Sequence, residues 1–241
     1  MSKLTDGMQW FKTTFGAQVN AGIKGTPFSL NFLTAIAVQE SFEVWGNIYN
    51  NHPVDQVLEL CVGDTIDGPS RKAFPTSKAA LLAIPKGDQI FAAARAALEA
   101  VGNVNAAYHK IAMANPNKFC HGFGIFQYDI QACKVDADYF IQSGWKTFAA
   151  SLQKCLTELA AAQKRAGLGG KTTLSNMEMA FVAIAYNAGS FNPARGLKQG
   201  FKDSSGKFYG ELIAQYIDLA ATVGAPAGVT RRRLTEPFIR R

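Results

Sequence analysis

The stretch Ser175-Asn176-Met177-Glu178, followed by Met179 to Ala188, limits what this chain can fold into more than any other. A serine with a glutamate three residues later is a capping box, in which each side chain satisfies a backbone N–H left open at a helix start. The residues after it are apolar on nearly every side and end at Gly189, a residue suited to the left-handed turn that stops a helix. A helix without a polar face has to be enclosed by other elements. The chain's 241 residues suffice for one substantial core of that kind, and the expectation is a single, mainly α domain over residues 1–223.

The enclosing helices are readable from their periodicity. Residues 144–166 repeat Trp145, Phe148, Leu152, Cys155/Leu156 and Leu159, then close on Lys164-Arg165-Ala166-Gly167, which predicts an amphipathic helix with a basic last turn and a glycine stop. Tyr209 to Ala221 predicts a final helix. Asp88 caps an alanine-rich helix reaching about Val101, Gly102 interrupts it, and a second helical stretch ends before Pro116. Thr26-Pro27 reads as an N-cap with proline at the first helical position, opening a helix through Leu33, Ile36 and Ala37 to Glu40. Residues 1–25 are weakly patterned, and partial order is expected there. Residues 47–78 are rich in glycine, proline, aspartate and asparagine, and their short apolar run Val57 to Val62 predicts a strand of a small sheet.

Charge and cysteine usage exclude several classes. The formal net charge is +7, but residues 224–241 hold Arg231, Arg232, Arg233, Arg240 and Arg241 against Glu236, a net +4. The excess therefore sits in a basic tail rather than in a stripe interleaved with aromatics, and no nucleic-acid partner is expected. No apolar run approaches the roughly 20 residues of a membrane span. The opening Met1-Ser2-Lys3-Leu4-Thr5-Asp6 shows no apolar leader. The four cysteines contain no C-x-x-C spacing, so no metal and no cofactor are expected, and their three pairings remain open.

One carboxylate stands out. At 100° per residue Glu40 falls about 20° from Leu33, inside the apolar stripe of its helix. Burial disfavours a charged carboxylate and helps it keep a proton near neutral pH, which is what a general acid requires.

Glu40 lies in Ala37-Val38-Gln39-Glu40-Ser41-Phe42. Further on come Gly122-Phe123-Gly124-Ile125-Phe126-Gln127-Tyr128-Asp129 and Ala185-Tyr186-Asn187-Ala188-Gly189. In this order the three segments resemble the motifs of goose-type lysozymes and lytic transglycosylases, the lysozyme-like superfamily. The resemblance covers roughly residues 27–46 and 120–221 and leaves 47–119 as an insertion that reshapes one wall of the cleft. It implies a lysozyme-like α+β fold with a small or vestigial sheet and a helical insertion. It also implies a glycosidase acting on the β-1,4 linkages of peptidoglycan, with Glu40 as the acid.

On the same resemblance Ser41, Gly122, Gly124, Gln127, Tyr186 and Asn187 fall on the substrate-binding side, with Tyr186 hydrogen-bonded to Glu40. Asp129 takes the place of the residue that activates water in an inverting hydrolase. On its own chemistry it equally suits a cap for the following turn. Glu59, Asp64 and Asp67 in the insertion are alternatives, and Glu43 reads as a surface group. A lytic transglycosylase, which needs no second carboxylate, a chitinase-like enzyme and a non-catalytic glycan-binding module stay open beside the muramidase reading. The implied setting is a phage-type lysin, or an effector exported by a non-classical route to act on a cell wall. An immunity protein would be the partner in the second case.

Overall fold

The computed structural model describes residues 2–65 and 71–224; the basic tail from residue 225 onward, Asp67 and the side chain of Asp64 lie outside the described residues. Helix α1 spans Lys3–Gly22, α2 Leu30–Trp45 and α3 Val54–Leu60, followed by strand β1 (Val62–Thr65) and helices α4 (Lys78–Leu82), α5 (Gly87–Gly102) and α6 (Ala106–Ala114). Strands β2 (Cys120–Phe123) and β3 (Tyr128–Asp129) form a hairpin that leads into α7 (Ala137–Ile141), α8 (Phe148–Arg165), α9 (Asn176–Ala188) and α10 (Tyr209–Thr222). The protein is mainly helical with one small three-stranded antiparallel sheet.

Helix α9 is enclosed as its composition demands. Both halves of the Ser175–Glu178 capping box are made, Gly189 ends the helix at φ +73°, and Met179, Ala180 and Val182 through Ala185 are buried. It packs between α8 and α10, and α10 in turn packs on α2.

Four expectations change, the first being that Asp88 does not cap α5 but lies in its first turn, with Lys86 at the N-cap position and no side-chain cap bond. Residues 3–22 form the 20-residue helix α1 instead of a partly ordered arm, because Met8, Phe11, Phe15 and Val19 recur at helical spacing and are wholly or almost wholly buried. Phe15 stacks on Phe148 of α8 at 4.0 Å between ring centroids. Lys12 is buried on the same face; its Nζ donates to Asn31 Oδ1, to Val223 O and to Ala220 O, fastening α1 to the end of α10. Burial lowers the pKa of this lysine. The N-cap of α2 is Ser29, whose Oγ accepts from Phe32 N, and not Thr26. Most of the run from Val57 to Val62 is the end of α3 rather than a strand, and only Val62 enters β1.

Segment 47–119 nevertheless supplies part of the sheet. Strand β1 pairs antiparallel with β2 in the register Val62↔Phe123, Gly63↔Gly122 and Thr65↔Cys120, and β3 pairs through Gly122↔Asp129 and Phe123↔Tyr128. The four cysteines are buried. Burial raises the thiol pKa of Cys61 and of Cys155, which holds both as neutral core groups. No helix among the described residues is long and apolar enough to cross a membrane.

Candidate active site

A cleft of about 800 Å³ opens between the β2–β3 hairpin and the helical side of the molecule. Arg71, His121, Gln127 and Asp129 line the hairpin wall; Glu158 and Arg165 of α8, with Tyr186 and Asn187 at the end of α9, line the helical wall.

The three segments singled out in the sequence are joined at the tip of the hairpin. Ser41 Oγ, on α2, donates to Ile125 O at 2.7 Å, and Tyr186 Oη, on α9, donates to Phe126 O at 2.6 Å. Two adjacent carbonyls of one turn are thus held by side chains far away in the chain. Ser41 is 4% exposed, so its role is to hold the turn and it is not available to a substrate.

Gln127 explains the two glycines. Its backbone takes φ +53°, which directs the side chain back over the sheet, where Nε2 donates to Gly124 O at 2.9 Å and to Cys61 O at 3.4 Å. A Cβ on Gly122 would lie 2.2 Å from Gln127 Oε1, and one on its sheet partner Gly63 3.0 Å from the same atom. The space above Gly122, expected on the substrate-binding side, is therefore occupied by the Gln127 amide. Gly124, at φ +81°, backs onto Ser151 and Trp145 in the interior. Neither glycine lines the cleft, and the Gln127 amide N–H is engaged by Gly124 O and Cys61 O.

Glu40 is half-buried near the end of α2. Its Oε1 accepts a 2.7 Å hydrogen bond from Tyr209 Oη, at the first position of α10. Tyr209, and not Tyr186, is the tyrosine that bonds Glu40. Gly200 makes room for it: at φ +82°, a Cβ there would sit 2.6 Å from Tyr209 Cβ and 3.1 Å from Asn187 Oδ1. Nothing local to Tyr209 announces this pairing in the sequence. Gln39 Oε1, beside Glu40 in the chain, is buried with no hydrogen-bond partner among the described residues.

Glu40 does not itself line the cleft, but it adjoins groups that border it. The pKa of Tyr186 is raised well above its usual value, first by burial and then by Cys155, Glu40 and Glu158. Burial, followed by Glu40, does the same to the Cys155 thiol. Both groups stay protonated and neutral.

Asp129 is surrounded by donors. Oδ1 accepts from Gln131 N at 2.7 Å, capping the 3₁₀ turn Ile130–Lys134, and from Arg71 Nη2 at 3.0 Å. Oδ2 lies 3.0 Å from His121 Nδ1 and 3.4 Å from Arg71 Nη2. Arg71 also donates to Phe74 O and Pro75 O, so one guanidinium ties the insertion to the hairpin. Burial raises the Asp129 pKa despite the opposing pull of Gln131 N–H and Arg71. A carboxylate with both oxygens engaged is poorly placed to take a proton from water.

Of the alternatives, Glu59 is paired with Lys146 at 2.6 Å, Asp64 and Asp67 fall outside what is described, and Glu43 is exposed. The charged cleft residues that sequence reasoning missed are Arg71, Arg165 and, as the acidic one, Glu158. Its signal was its position one turn after Cys155, on the border of the buried face of α8. No cluster of histidine, cysteine, aspartate or glutamate among the described residues is arranged to hold a metal ion.

Comparison with protein-family models, with curated proteins and with solved structures finds no match to this chain.

Proposed function

We propose that the protein is a lysozyme-like glycosidase that cleaves β-1,4 linkages of peptidoglycan or a related N-acetylated glycan, with Glu40 as the general acid. The observation that carries this reading is the pair of hydrogen bonds Ser41–Ile125 and Tyr186–Phe126, which unites the three resembling segments beside one cleft. Separate short motifs met by chance in a sequence have no reason to share one turn.

Chemically, Glu40 delivers a proton to the leaving glycosidic oxygen as C1 develops oxocarbenium character. Tyr209 Oη holds the carboxyl group in one orientation. Asn187 and Arg165 offer hydrogen-bond donors from the helical wall of the cleft to hydroxyl, acetamido or carboxylate groups of the glycan. Asp129, with Arg71 and His121, holds the opposite wall in place.

A second reading is a lytic transglycosylase, in which the substrate's own 6-hydroxyl attacks and no water is activated. The engagement of both Asp129 oxygens favours it. Mass spectrometry of fragments released from peptidoglycan separates the two, since reducing-end and 1,6-anhydro products differ by one water. In either case Glu40→Gln should lower turnover about 10²–10⁴-fold with folding unchanged, because the amide has no proton to give at neutral pH. Retention of more than about a tenth of wild-type turnover would remove Glu40 from the mechanism.

A further inference from the structure

The cleft holds two acidic side chains, and they differ in what the fold has already attached to them. Asp129 is bound by Arg71, His121 and Gln131. Glu158 has no hydrogen bond and no ion pair among the described residues, although it is half-buried and lines the same cleft. Its neighbours on α8 do not neutralise it: Lys154, one turn before it, is paired with Asp136 at 2.6 Å, and Arg165, two turns beyond, donates to Ala185 O. A half-buried carboxylate to which the fold supplies no donor is left for solvent or a ligand to satisfy.

Its position relative to Glu40 adds to this. Glu158 lines the cleft beside Tyr186, and Tyr186 holds the hairpin turn whose preceding carbonyl is held by Ser41, the residue next to Glu40. Glu40 belongs to α2 and Glu158 to α8, elements from different parts of the chain.

We propose that Glu158 is the catalytic base that activates water for inverting cleavage, paired with Glu40 as acid. This rests on the glycosidase reading above and deepens it. Glu158 takes one proton from a water in the cleft as the water oxygen forms a bond to C1. The C1–O4 bond breaks, and O4 leaves with the proton from Glu40. One water is consumed, a β-linkage becomes an α reducing end, and the two carboxyl groups return to their starting states by proton exchange with solvent.

The test compares purified full-length variants on soluble peptidoglycan fragments. Glu158→Gln should lose about 10²–10⁴-fold in turnover, while its thermal melt stays with that of the unmutated protein and Glu43→Gln, on the exposed side of α2, remains fully active. In Glu158→Ala, sodium azide should restore turnover at least about tenfold and yield an α-glycosyl azide, since an anion needs no base to attack C1. The same anion should not rescue Asp129→Ala.

Turnover of Glu158→Gln within about threefold of wild type would overturn the proposal. So would failure of azide rescue, retention of the β configuration, or 1,6-anhydro products, each leaving the glycosidase reading intact. An unmutated protein that releases nothing from peptidoglycan or chitin overturns both readings at once.

Discussion

On the hairpin wall of the cleft, Arg71, His121 and Asp129 are bound to one another and to the backbone at Phe74, Pro75 and Gln131. On the helical wall, Glu158 is bound to nothing among the described residues and Arg165 gives one long bond, 3.3 Å, to Ala185 O. Both walls carry charge, so charge alone does not separate them. What differs is whether the fold or a ligand is left to satisfy each group. A side chain whose lone pairs are filled by the protein fixes geometry, whereas one left open in the cleft is available for binding or proton transfer.

The contrast can be broken most strongly on the tied wall. Arg71→Met should cost about 1–3 kcal/mol of stability, because it strips the donor from a carboxylate and two carbonyls that are largely shielded from water; Arg71 itself is only 16% exposed. Chemical denaturation with the Asp129→Asn/Arg71→Met double variant reads the coupling. A cycle with no coupling energy would mean that the network holds nothing.

A smaller effect concerns pH. Burial holds Asp129 above the usual carboxylate range, and the donors around it only partly reverse this. A folded-state value above the unfolded one means that the folded protein binds this proton more tightly. The group's contribution is then fully present below the unfolded pKa of about 3.9 and is lost as pH rises through the higher folded value. Asp129→Asn cannot titrate, so the melting temperature of the unmutated protein relative to this variant should fall as pH rises from below about 3.9 through the folded value. A difference that grows over that interval would show that Arg71, and not burial, dominates the site.

The smallest effect is expected on the open wall. Glu158→Gln breaks no bond of the fold and should change stability by no more than about 0.5 kcal/mol in either direction. That is a useful pairing with its proposed loss of turnover: a large kinetic change with an unmoved melt identifies a group kept for chemistry. A melt lowered by as much as that of Arg71→Met would place Glu158 in the fold and dissolve the contrast between the walls.

Much of the local structure was present in residue order. The Ser175–Glu178 box, the Gly189 stop, the basic end of α8 and the span of α10 all depend on neighbours within about one or two helical turns, and the structure has them. Helix α1 was equally available in the spacing of Met8, Phe11, Phe15 and Val19, but an isolated apolar face gives no hint of what covers it. The run from Val57 to Leu60 shows the opposite failure: short apolar segments suit strand and helix alike, and packing chose helix.

The sequence by itself determined that this is a mainly helical protein around a fully apolar helix. It also determined that Glu40, Gln127, Asp129 and Tyr186 are the residues around which a site would be sought. Only the tertiary structure decided what each of them does. Tyr209 rather than Tyr186 reaches Glu40, across 169 positions. Gln127 fills the notch above Gly63 and Gly122, Asp129 is absorbed into an ion-pair network with Arg71 from the insertion, and Glu158 is left open in the cleft. The reason is physical: capping and periodicity act between chain neighbours, while a hydrogen-bond donor belongs to whichever acceptor packing brings within about 3 Å. Residue order does not encode that distance directly.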